Sequence, residues 1–131
     1  MPKQKTAKMI ESPVEQIDIA PTILDLLNME IPRWMEGESM KQAIEGGAMS
    51  HKPKFSMQLE GNRVEGKIVK GTIAVMKDDY KYIFYLDKQK SELYDMKNDP
   101  QELTDLVKIE KERAVAMHRL ITEGILKTVE R

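Results

Sequence analysis

The sequence predicts an α+β fold: a small antiparallel sheet of about four strands, packed by a long C-terminal helix and preceded by short helices. Three observations carry that expectation. Extended runs cluster between Phe55 and Tyr94, and Asp78-Asp79 divides two of them as a hairpin loop would. From Ile109 onward the apolar residues recur at helical spacing instead. Strands grouped together and then a helix argue for a helix laid on an antiparallel sheet.

Residues 1–12 read as a flexible lead-in and 13–131 as one domain. Asp18 to Leu27 reads as a short helix. Asp18 stands at the N-cap, Pro21 falls in the first turn where proline is tolerated, and Ile19, Ile23, Leu26 and Leu27 recur on one side. Asn28 is placed to end it in a left-handed conformation, and Pro32 blocks continuation. A second short helix is expected over Ser39 to Ile44, closed by Gly46-Gly47. Phe55, Met57 and Leu59 alternate with polar neighbours as a half-buried strand does.

Thr72 to Lys77 and Tyr80 to Leu86 are β-rich. With Asp78-Asp79 as the loop, Ile73 faces Phe84 and Val75 faces Tyr82, although Asp-Asp is not the favoured dipeptide for such a turn. Glu92 to Tyr94 suits a short edge strand. Asp99, Pro100 and Glu102 carry a helix start signal of cap, first-turn proline and a carboxylate able to reach back. A tight helix is therefore expected after Asp99. A long amphipathic helix is expected from Ile109 to about Lys127, with Val115, Met117, Leu120, Ile121 and Ile125 as its apolar stripe and Gly124 a local weak point.

Composition narrows the function classes. The 131 residues are 40% hydrophobic and 33% charged, which suits a globular chain able to bury about two-thirds of its unfolded surface. Twenty-one basic against twenty-two acidic residues leave a net charge of -1, so no global field favours nucleic acid or an anionic membrane. Lys3, Lys5 and Lys8 read as a solvated end. The absence of cysteine removes disulfides, zinc thiolates and cysteine nucleophiles together. No apolar run approaches the roughly 20 residues that span a bilayer. The compartment stays open.

Three blocks, in order, resemble the C-terminal region of the sulfatases, within the alkaline-phosphatase-like superfamily. Val14 to Ile31 is similar to the segment V-D-[IL]-x-P-T-[IL]-L-x-L-x-G-[IV]. Gly37-Glu38-Ser39-Met40 takes the place of a G-x-S-L turn. Lys81-Tyr82-Ile83, Glu92-Leu93-Tyr94-Asp95, Asn98-Asp99-Pro100 and Glu102 complete the match. Asn28 replaces the family's glycine and Met40 its leucine. The resemblance implies that a full-length parent cleaves sulfate esters with a calcium or magnesium ion beside a formylglycine. That residue is made from Cys/Ser-x-Pro-x-Arg, which none of Ser12, Ser39, Ser50, Ser56 or Ser91 begins. In the family, nucleophile and metal-binding aspartates lie upstream of the first block. The chain is thus expected to hold no catalytic residue, metal ligand or cofactor of its own, and to be inactive alone.

Other clusters have plainer readings. His51 lies in a polar loop that, by resemblance, follows the G-x-S-L turn toward the substrate pocket. Arg63 and Lys67 lie near Gly61 and Gly66 in a stretch that reads as flexible, and could bind an anionic group. These two, His51 and Arg63, are the candidate substrate-pocket contacts, with solvated loop residues as the alternative. His118 reads as a solvated or rim residue. Asp78, Asp79, Asp95 and Asp99 lack the alternating donors of an ion loop and read as turns and caps. Tyr80, Tyr82, Phe84, Tyr85 and Tyr94 could form a stacking platform, but the alternation favours a sheet core.

The expected partner is the parent's catalytic domain. The apolar N-terminal third, including Trp34, offers a surface for homo-oligomers. Two other classes stay in play. One is a stand-alone interaction or dimerisation module, and the other is the C-terminal piece of a related phosphodiesterase or phosphoethanolamine transferase.

Overall fold

Asp78 and Asp79 both adopt left-handed backbone, with φ of 50° and 65°, the signature of a type I′ two-residue hairpin loop. That loop joins β2 (Gly71–Lys77) to β3 (Tyr80–Tyr85). It sets the register expected from the alternation, with Ile73 opposite Phe84 and Val75 opposite Tyr82. The computed structural model describes residues 7, 9–60 and 70–126, which fall in two units, 1–50 and 51–131.

In the second unit, β1 (Lys54–Leu59) and β4 (Lys90–Asp95) complete a four-stranded antiparallel sheet in the order β1-β2-β3-β4. The edge strand expected at Glu92 to Tyr94 is therefore present and longer. One face of the sheet carries Ile73, Val75, Tyr82, Phe84 and Leu93. These pack with Ala114, Met117 and Ile121 of helix α3 (Lys111–Ile121). Tyr82 and Phe84 are buried, so the aromatic cluster is chiefly core on this side.

After α3 the chain makes a π-helical turn over Thr122–Leu126. There Gly124 is a place of close approach, since a Cβ would lie 3.3 Å from Phe55 Cζ. Lys127, Arg63 and Lys67 lie outside the described residues.

Four expectations need correction. No helix follows Asp99. Its carboxylate accepts the N–H groups of Leu103 (3.1 Å) and Thr104 (2.7 Å), and Glu102 turns left-handed with φ 56°, which stops the helix after one turn. Glu102 does not reach back to the cap but pairs with Lys81 Nζ through both oxygens, at 2.8 and 2.9 Å. Val115 leaves the apolar stripe at 69% exposure, because Ala114 takes the inward position one residue earlier. Met57 and Leu59 are 50% and 40% exposed, so of the β1 alternation only Phe55 packs on the core.

The first unit is built on two short helices. A 3-10 turn, Gln16–Asp18, runs into α1 (Ile19–Leu26), and α2 spans Lys41–Glu45. Asn28 ends α1 in the left-handed conformation expected of it, with φ 56°. Asn28 N–H bonds Asp25 O and Met29 N–H bonds Leu24 O, which satisfies the last carbonyls. Gly46 does the same for α2, at φ 111°.

Candidate functional site

The first two resemblance blocks form one hydrogen-bonded structure. Asp18 is 1% exposed. Its carboxylate accepts the backbone N–H of Glu15 at 2.9 Å and that of Glu38 at 2.7 Å. It therefore holds the chain on both sides of α1 and does not cap the helix by side chain, as the sequence had suggested. Thr22 Oγ1 donates to Asp18 O and accepts Met40 N–H at 2.9 Å. Ser39 Oγ donates to Asp25 at 2.6 Å, and Lys41 Nζ lies 3.1 Å from the other Asp25 oxygen. The Ser39 hydrogen bond, followed by that of Lys41, holds the Asp25 carboxyl below its ordinary range.

Gly37 is required by space. A Cβ there would stand 2.1 Å from Ile17 O, inside any permitted contact. Glu38 binds Ser50 through both its hydroxyl and its N–H. The conspicuous side chains of both blocks thus hold backbone in place.

The residues expected to touch substrate are His51 and Arg63. His51 is exposed and precedes β1, while Arg63 lies outside the described residues. Asp95 accepts from Asn98 and from the N–H of Lys97, and Asp99 from Leu103 and Thr104. Among the described residues no three His, Asp or Glu are grouped as metal ligands. Among the described residues, no helix is long and apolar enough to cross a membrane.

Two side-chain clusters were not visible to the sequence reading. On the sheet face opposite α3, Glu92 accepts the hydroxyls of Tyr85 (2.9 Å) and Tyr94 (3.2 Å) on one oxygen and Lys90 Nζ (2.7 Å) on the other. Lys90 is the main cause of a lowered Glu92 carboxyl, ahead of the opposing effect of burial. Burial and then the Glu92 charge push the Tyr94 phenol up to about 12.

On the other face, a groove of 440 Å³ opens beside α3, lined by Tyr82, Phe84, Ser91, Val107, Lys111, Ala114, Val115 and His118. His118 is half-buried rather than solvated. Its ring stands edge-on to Phe84 with centroids 4.7 Å apart, and Nδ1 lies 3.1 Å from the Tyr82 hydroxyl. Burial raises the Tyr82 phenol, with a Ser91 hydrogen bond opposing it. Periodicity alone could have put His118 on the Ala114 and Ile121 side of the helix, at spacings of four and three.

The family model described as N-sulphoglucosamine sulphohydrolase, C-terminal, matches residues 1–128. The chain belongs to this family. This sulfatase C-terminal region is 29% identical over 125 residues to an arylsulfatase of Clostridium perfringens, covering 94% of the chain and 25% of the relative. It is 31% identical over 116 residues to a Delta 4,5-hexuronate-2-O-sulfatase of Bacteroides thetaiotaomicron, covering 84% and 23%. A solved 2-O GAG sulfatase is similar at a TM-score of 0.68 and 29% identity, over 86% of the chain and 24% of that structure. The sulfatase C-terminal region thus spans about a quarter of the length of the curated relatives it matches. All three blocks read from the sequence fall inside the matched span.

Proposed function

We propose that this chain is the non-catalytic C-terminal domain of a sulfatase-type hydrolase whose catalytic part cleaves sulfate esters. One observation carries the reading. The polar residues of its first two blocks, Asp18, Thr22, Asp25 and Ser39, are engaged by backbone groups and by one another, with no reacting centre formed between them. The named activities of its relatives give the reaction class, and the quarter-length match supports a division of labour along the chain. In the parent, α1 packs against the catalytic domain through Ile19, Ile23 and Leu27, a stripe at four-residue spacing that is 50%, 53% and 63% exposed. His51 and Arg63 are the residues we would place nearest the substrate.

The test is an assay of this chain for hydrolysis of aryl sulfates and aryl phosphates with calcium, magnesium or manganese. No turnover is expected. Metal-dependent turnover by pure protein overturns the reading. A formylglycine motif upstream in the same reading frame would support a sulfatase parent, and a threonine nucleophile there would point to a phosphodiesterase or transferase.

The exposed α1 stripe with Trp34, itself 77% exposed, also favours a second reading, an interaction module that self-associates through this surface. Sedimentation separates the two. Dimers that dissociate on Ile23→Glu support the module, and a monomer at high concentration removes it.

A further inference from the structure

We propose that the groove beside α3 binds a compact amphipathic anion, an aromatic or branched apolar body carrying one carboxylate. The groove is open to solvent and offers 440 Å³, within the range of roughly 300–1,000 Å³ usual for small-molecule sites. Its floor is apolar and fixed, because Phe84 and Ala114 belong to the buried core. The His118 and Phe84 rings already pack T-shaped at 87°, an arrangement that a flat apolar body extends. Val115, 69% exposed, supplies an apolar rim that the core does not use.

Charge selects the sign of the ligand. Among the described residues no carboxylate lines the groove, and Lys111 is the one lysine or arginine that does. The helix's two arginines are committed, Arg113 to Glu110 at 2.6 Å and Arg119 to Glu123 at 2.7 Å. Lys111 makes no ion pair among the described residues, so its ammonium is available at the groove. A lysine is a point charge suited to one headgroup oxygen rather than to a bidentate clamp. Polar side chains are few here, Ser91, Tyr82 and His118, and the last two already bond each other. The lining is otherwise apolar, from Phe84, Val107, Ala114 and Val115, which argues for an apolar body.

The test is heteronuclear NMR of the full chain titrated with naphthoate, and with naphthylmethylammonium as the charge-reversed control. Saturable shifts are expected at the Val107, Ala114 and Val115 methyls and the His118 ring, with the cation binding more weakly. Lys111→Met should weaken naphthoate about two- to fivefold, the size of an exposed ion pair, and leave the cation no weaker. Val115→Glu should abolish the naphthoate shifts while the remaining spectrum is unchanged. Both positions are exposed, so neither variant threatens folding. Absence of saturable shifts, equal binding of the two probes, indifference to Lys111→Met, or shifts centred instead on Ile19, Ile23 and Trp34 would each overturn the proposal.

Discussion

The Asp18 carboxylate accepts the N–H of Glu38, twenty residues along the chain, at 2.7 Å. Its other oxygen accepts the N–H of Glu15. Asparagine at this buried position keeps one acceptor and turns an amide donor toward a backbone donor. Asp18→Asn is expected to destabilise the first unit by about 2–3 kcal/mol, the scale of a lost charged hydrogen bond. Amide exchange at Glu15 and Glu38 should accelerate together while exchange in β2 and β3 stays as it was. Unchanged exchange at both amides would contradict the role given to Asp18.

Ile121 is fully buried, whereas Val115 on the same helix is 69% exposed. Ile121→Ala should therefore cost about 2–5 kcal/mol, combining lost burial with the cavity left behind. Val115→Ala should stay within about 0.5 kcal/mol. Urea denaturation of the two variants gives the comparison directly, and similar midpoints would refute the packing described for α3.

The Asp78-Asp79 loop holds two non-glycine residues at positive φ. Asn-Gly is the favoured pair for this turn, and glycine carries no steric penalty there. The double change Asp78→Asn with Asp79→Gly should raise stability by about 0.5–1 kcal/mol. A higher urea midpoint with an unchanged slope is the expected result, and a lower midpoint would argue against a type I′ loop.

The Tyr94 phenol moves from its ordinary 10.0 to about 12, first through burial and then through the Glu92 charge. A folded value raised in this way contributes stability that is fully present below 10.0 and is lost as pH climbs through about 12. Glu92 runs the opposite way. Its lowered carboxyl contributes stability above the usual carboxylate range, lost as pH falls through its folded value. Phenolate absorbance titration should show Tyr94 ionising late, and earlier in Glu92→Gln. An ordinary Tyr94 titration would contradict the arrangement around Glu92.

The sheet was largely legible because alternation has a period of two and one face is apolar, which pins Ile73 to Phe84 and Val75 to Tyr82. The end of α1 was legible for a local reason, since asparagine tolerates left-handed backbone. The segment after Asp99 is not legible in the sequence because cap signals describe only one turn, while the fate of Glu102 is decided by Lys81 on β3. At β1, alternation marks a side but cannot say how far a covering helix extends, so the exposure of Met57 and Leu59 cannot be read from it. The groove was invisible because its polar residues Ser91, Lys111 and His118 come from β4 and α3 with no linear motif between them. The partner of Asp18 was hidden in the same way, twenty residues distant.

The Lys81–Glu102 pair has a consequence for how the hairpin tolerates error. Shifting β3 by a single residue would invert every side chain on it, turning the Lys81 ammonium toward the core and leaving the Glu102 carboxylate without its cation. Meanwhile Leu106 N–H is tied to Leu93 O, and Leu93 N–H to Asp105, so the loop carrying Glu102 cannot follow the slipped strand. The segment after Asp99 thus acts as a check on strand alignment, since only the native register gives the Glu102 carboxylate its cation.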